Sequence, residues 1–155
     1  MTKKYKYLHP LVMWLTVLVG AVILWHVVPD GELFSQTAFG IIVFTLTFIN
    51  WVFVYATTLS VNPRAFSNIN SVTTLITEGR YAAARHPMYL ADFILGVGIF
   101  FWFPSFHVLA SITWLVLVLA FWASMEERAL EEKFLEDYRA YRKRVPMFSL
   151  RRKKN

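Results

Sequence analysis

The chain has 155 residues, 57% of them hydrophobic and 17% aromatic, with a mean hydropathy of +0.46 and a formal net charge of +6. So apolar a composition excludes a small soluble domain, in which the apolar share is nearer half. The absence of cysteine excludes disulfides, thiolate metal sites and a cysteine nucleophile.

Four apolar stretches, 8–28, 33–58, 88–103 and 106–124, predict transmembrane helices. At about 1.5 Å per residue they run from about 24 to about 39 Å against a hydrocarbon core of about 30 Å, so the third is short and the second tilts or overshoots. The first follows Lys3, Lys4 and Lys6 as a signal peptide would. It is too long for an h-region and has no small-x-small cleavage site, so it reads as a retained anchor. The expected architecture is all-α: a single polytopic membrane domain over 1–155, with four transmembrane helices and a cytoplasmic C-terminal amphipathic helix.

Between the second and third spans lies the one long connection, 59–87, a length that points to function. It contains a turn at Gly79, a short helix expected over 80–85, and Pro87 at the first position of the third span. The third and fourth spans are separated by a Pro-Ser turn at 104–105, which makes them antiparallel neighbours. Beyond the fourth, SMEERALEEKFLEDYRAYRKRVP runs without a breaker to Pro146. Leu130, Phe134, Tyr138 and Tyr141 form an apolar stripe along it, as expected of a helix lying on the membrane face.

With these spans, all 16 Lys and Arg residues fall on one side of the membrane, while the opposite loops hold Asp30 and Glu32. Both termini are therefore expected in the cytoplasm, and a prokaryotic plasma membrane suits so compact a chain. The basic tail reads as an electrostatic anchor for anionic headgroups, with no nucleic-acid partner expected.

The short turn after the third span sets Arg85 to Asp92 beside Trp122 to Glu127. The N-terminus of a helix at Pro87, with Arg85 next to it, suits an anion. Glu126 and Glu127 opposite suit an ammonium or ribose hydroxyls, so a zwitterion fits this corner. Asp92 lies about one turn inside a span, where a carboxylate faces a partner or a cavity. Each of these residues also has a structural reading: Arg85 as a positive-inside marker, His86 as an interfacial residue, the glutamates as a solvated helix edge, and Asp92 as a paired carboxylate.

TTLITEGRYAAARHPMYL, followed after a helical hairpin by MEERALEEKFLEDYRAYRKRVP, resembles the C-terminal signature of the isoprenylcysteine carboxyl methyltransferase and phospholipid methyltransferase superfamily. The shared pattern covers residues 73–146. It comprises a T-x-G-x-Y turn, R-H-P-x-Y, and E-E-x-x-L-x-x-x-F-x-x-x-Y-x-x-Y-x-x-x-V-P. The resemblance implies an integral membrane enzyme that uses S-adenosylmethionine at the cytoplasmic face to methylate a lipid-borne or small hydrophobic acceptor. It also implies cofactor binding by Thr73, Thr74, Leu75, Ile76, Tyr81, His86, Pro87, Tyr89, Leu90 and Glu126, joined on charge grounds by Arg85. For an amine, thiol or phenol acceptor, Asp92, His86 and Glu127 are the candidate proton acceptors, and no metal is expected. Two departures stand out: Ala91, followed by Asp92, replaces a common glycine, and Trp122 stands where the isoprenylcysteine enzymes place an arginine. Phospholipid N-methylation and a non-catalytic membrane scaffold are the alternatives.

Overall fold

The structure, a computed structural model, describes residues 9–67 and 72–149. The basic clusters at 3–6 and 151–154 lie outside the described residues. Four α-helices account for most of the chain: α1 Pro10–Val27, α2 Ala38–Val61, α3 Pro87–Trp102 and α4 Phe106–Arg144. Among the described residues there is no strand beyond an isolated bridge between Glu32 and Ser105.

Helices α1, α2 and α4 are each long and apolar enough to cross a membrane, whereas α3, with 16 residues, is shorter than the usual span. Large apolar side chains such as Leu18, Phe39, Leu46 and Leu117 point outward, more than half exposed. In water so many exposed side chains would be untenable, and their natural neighbour is lipid. The protein is an integral membrane protein.

The elements begin where local chemistry dictates. Pro10 opens α1, with the His9 imidazole accepting from the Leu11 amide at 3.2 Å. α2 starts five residues later than the hydropathy run, because 31–36 are tied to the end of the α3–α4 hairpin. The Leu33 amide donates to Pro104 O, the Gln36 amide group to Trp102 O and the Phe106 amide to Gly31 O. α2 then continues to Val61, beyond the expected end at 58, and stops just before Pro63.

The helices pack as two closely matched pairs, α2 with α3 and α1 with α4, and α3 touches α4 over a smaller area. The α2–α3 pair is close because Gly40 lies against the Phe101 carbonyl and Gly98 against Thr47, leaving no room for a Cβ. On the other pair Met13, Val118, Leu119 and Trp122 form the core. Trp122 thus packs in this core.

In the 59–87 connection, Gly79 adopts φ +61 and opens a 3₁₀ helix, Gly79–Ala82, which is shorter than the short helix expected over 80–85 and starts one residue earlier.

The largest departure from expectation lies in α4. The uninterrupted helix implied by the sequence is broken at Leu135, whose φ of 48° and ψ of −119° are non-helical. The chain reverses there. Arg139 Nε reaches back to Glu131 Oε1 at 2.9 Å and Arg142 Nη1 to Glu131 Oε2 at 3.1 Å. In a straight helix, residues 131 and 142 would stand about 16 Å apart along the axis. The reversal buries Tyr138, Tyr141 and Val145 against Leu75, Leu130 and Phe134, so the apolar stripe is satisfied by protein.

Candidate functional site

Reversal at Leu135 carries the C-terminal segment across the start of α3. Residues 85 and 86, in non-helical conformation ahead of Pro87, run beside it: the Arg85 amide donates to Pro146 O at 3.0 Å and the His86 amide to Met147 O at 3.1 Å. The Arg85 guanidinium is consumed by the same corner. Nε and Nη2 each lie 2.7 Å from Glu127 Oε1, and Nη1 donates to Val145 O at 2.6 Å and Arg142 O at 3.2 Å. Arg85, expected to offer its donors to a ligand anion, spends them on Glu127 and on the end of the folded-back helix.

His86 is buried, with Nε2 3.3 Å from Glu127 Oε1 and Nδ1 3.7 Å from Glu126 Oε2. Nε2 makes no hydrogen bond, and its polar neighbour is the Glu127 carboxylate. The imidazole lies parallel to the Tyr89 ring, with centroids 5.3 Å apart, and the Tyr89 hydroxyl donates to Glu126 Oε2 at 3.1 Å. Burial pushes the Glu127 carboxyl up, but polar contacts from His86 and Arg85 together with their charge more than offset it, and it is held below the usual carboxylate range. Glu126, with its side chain 28% exposed, is the freer of the two acids.

Across from these groups lies the 59–87 connection. Tyr141 Oη donates to Tyr81 O at 2.7 Å, and Asn62 Nδ2 donates to Tyr81 Oη at 3.2 Å. Burial raises the Tyr81 phenol above its ordinary value; the Asn62 hydrogen bond opposes this and the Glu126 charge adds to it. The result is a cavity walled by Thr74, Leu75, Ile76, Tyr81, Arg85, His86 and Glu126 on the sides expected from the sequence. Its volume is about 70 Å³, the room of two or three waters, so a nucleoside-sized ligand requires the walls to part.

Asn62, Arg64, Ala65 and Ser67 line the same cavity, as do Leu130, Tyr138 and Tyr141. None of these was singled out as a site residue. The unusual length of the connection was the available signal for the first group, and the apolar stripe for the second. Thr73 is exposed and Pro87 buried, and neither is among the lining residues. Tyr89 and Leu90 line a separate apolar groove on the α3–α4 face.

Asp92 lies apart from this group. α3 turns it toward α2, where Trp51 Nε1 at 2.8 Å and Tyr55 Oη at 2.7 Å both donate to Oδ1. Oδ2 is buried without a partner. The corner expected to hold residues 85–92 together therefore splits, with Arg85, His86 and Tyr89 facing α4 and Asp92 facing α2.

A family model described as phospholipid methyltransferase matches residues 34–137. No curated protein and no solved structure matches the chain.

Proposed function

The chain belongs to the phospholipid methyltransferase family, and from that premise we propose that it moves a methyl group from S-adenosylmethionine to a lipid-borne or small hydrophobic acceptor at the cytoplasmic membrane face. In this reading all four helices span the bilayer, α3 with a local thinning or tilt of its neighbours. Residues 1–155 act as one domain, both termini lie in the cytoplasm, and the host membrane is a prokaryotic plasma membrane. The observation that carries the proposal is the single cavity that gathers residues from the 59–87 connection, the R-H-P-x-Y step and Glu126.

The donor set fits a zwitterionic nucleoside ligand. Glu126 accepts from an ammonium or a ribose diol, and Arg64 and Thr74, which also line the cavity, carry donors for a carboxylate. His86 Nε2 and the Tyr138 hydroxyl are buried polar atoms that make no hydrogen bond, and both residues line the cavity. Leu75, Ile76 and Leu130 supply apolar surface for a base. The bound cofactor supplies an electrophilic methyl group on a sulfonium, transferred by in-line displacement, so the protein's share is alignment and exclusion of water.

The family match favours a phospholipid headgroup amine as the acceptor, and an amine must lose a proton. Glu127, paired with Arg85 and with its carboxyl held below the usual carboxylate range, is a weak base for that purpose. Asp92, engaged by α2, is not among the residues lining the cavity. His86, which lines the cavity and whose Nε2 lies 3.3 Å from the Glu127 carboxylate, is the group we assign to hold that proton. Trp122, buried in the α1–α4 core where the isoprenylcysteine enzymes place an arginine, weighs against a prenylcysteine carboxylate as the acceptor.

Calorimetric titration of S-adenosylmethionine and S-adenosylhomocysteine into detergent-purified protein tests the reading. Micromolar binding weakened by Glu126→Ala and His86→Ala is expected. Absence of binding at millimolar ligand, in protein shown to be folded, sinks it and leaves a membrane scaffold.

A further inference from the structure

A second cavity lies against the first, of about 270 Å³ and almost wholly apolar. Leu90 and Phe93 of α3 form one wall, Val116, Leu119 and Ala120 of α4 the other, and Phe148 of the C-terminal segment closes one end. These wall residues lie within the apolar parts of their helices, and Phe93, Val116 and Ala120 are exposed on the outward surface. The groove thus opens sideways toward lipid, at the seam where α3 and α4 pack least extensively.

Two residues join it to the polar cavity. Tyr89 lines the groove with its ring, while its hydroxyl donates to Glu126, a wall residue of the polar cavity. Phe148 lines the groove and sits 6.2 Å, centroid to centroid, from the His86 ring. The polar and apolar spaces therefore meet at a partition made of two aromatic rings and His86. A molecule with a polar head and a hydrocarbon tail fits this arrangement: the tail in the groove brings the head up against Tyr89, beside Glu126 and His86.

We propose that the α3–α4 groove binds one hydrocarbon chain of the methyl acceptor, and that Tyr89 and Phe148 form the threshold at which the chain ends and the reacting headgroup begins. The proposal rests on the methyl-transfer reading above and commits that reading to an acceptor with a lipid tail. A small acceptor arriving from water has no use for a lipid-facing groove whose polar lining is almost nil. Tyr89 then serves two sides at once, orienting Glu126 through its hydroxyl and bounding the chain with its ring. The groove also explains why the C-terminal segment folds back so far. Without the reversal at Leu135, Phe148 could not reach the mouth of α3.

The test uses full-length protein in lipid nanodiscs doped with phosphatidylethanolamine carrying a diazirine on one acyl chain. After illumination, labelled residues are mapped by mass spectrometry, and S-adenosylmethionine affinity is measured on the same samples. Labelling should concentrate on Leu90, Phe93, Val116, Ala120 and Phe148. Ala120→Trp and Val116→Trp, which fill the groove from two independent positions, should each cut that labelling about fivefold while leaving cofactor affinity within about twofold of wild type. Labelling spread evenly over the outward faces of α1 and α2, or unmoved by either tryptophan, overturns the groove. The two readings fail separately. Cofactor binding without focused labelling sinks the groove alone, and focused labelling without cofactor binding supports a lipid site while sinking methyl transfer.

Discussion

Arg85 and Glu127 face each other across the α3–α4 corner, with Nε and Nη2 both 2.7 Å from Oε1 and side chains only 8% and 5% exposed. Because the same guanidinium also caps the carbonyls of Arg142 and Val145, the pair ties the start of α3 to the end of the folded-back helix. Removing one charge strands the other in a buried place. Arg85→Ala should cost about 3–5 kcal/mol in detergent unfolding. Arg85→Leu combined with Glu127→Leu should recover part of that loss, and a double variant as weak as the single would refute the assignment.

The depressed Glu127 carboxyl sets a direction with pH. A group whose folded value lies below its unfolded one contributes stability that is complete above the unfolded value, near 4.5, and is lost as pH falls through the folded value. Wild-type melting temperature should therefore be flat from neutrality to about pH 5 and decline below about pH 4, on the scale of ordinary carboxylates. Glu127→Gln should melt lower at neutral pH with a shallower acid decline. Parallel acid limbs in the two proteins would show that the corner does not carry the effect.

Asp92 tests how a polar group is held between spans. Its Oδ1 receives both Trp51 and Tyr55, so an alanine there leaves two donors unpaired, at about 1–3 kcal/mol. Asp92→Asn keeps a carbonyl acceptor for the two donors. It should retain most of the stability and, on the proposed function, most of the turnover. Loss of turnover in Asp92→Asn at unchanged stability would return Asp92 to the reaction.

Gly40 permits the α2–α3 contact and Gly20 the α1–α4 contact, in different ways. A Cβ on residue 40 meets the Phe101 backbone carbonyl, which cannot step aside, whereas one on Gly20 meets the Trp114 side chain, which moves by giving up its hydrogen bond to Thr16 O. Gly40→Ala should destabilise by about 1–3 kcal/mol, more than Gly20→Ala does. Equal melting temperatures for the two variants would contradict this packing.

Much of this was legible in the sequence, and what was not has definite physical causes. Hydropathy places the apolar helices to within a few residues, because lipid demands the same property along the whole span. The start of α2 was misplaced because Leu33 and Phe34 are apolar yet belong to the connection, where the Leu33 amide bonds to Pro104 O. The cavity walls at Leu75, Tyr81, His86 and Glu126 follow from motif residues that the fold gathers in one place. Arg85 was assigned to a ligand because its acceptors, Glu127 and two carbonyls of the C-terminal segment, come within reach only after the chain reverses. No glycine or proline announces that reversal. Leu135 makes it under tertiary pressure to bury Tyr138 and Tyr141.

Leu135 is therefore the residue at which fold and proposed site can be separated. Its φ of 48° with ψ of −119° is a conformation that glycine adopts freely and leucine only at a cost of about 1–3 kcal/mol. Its side chain is exposed, 59% accessible, so little packing is lost on truncation. Leu135→Gly should raise the melting temperature, or at least hold it, and leave S-adenosylmethionine affinity unchanged. Leu135→Pro cannot take a positive φ. It should release Tyr138, Tyr141 and Phe148 from the cavity and groove, abolishing cofactor binding while α1, α2 and α3 remain helical by circular dichroism. If Leu135→Pro binds the cofactor as wild type does, the folded-back segment is no part of the site.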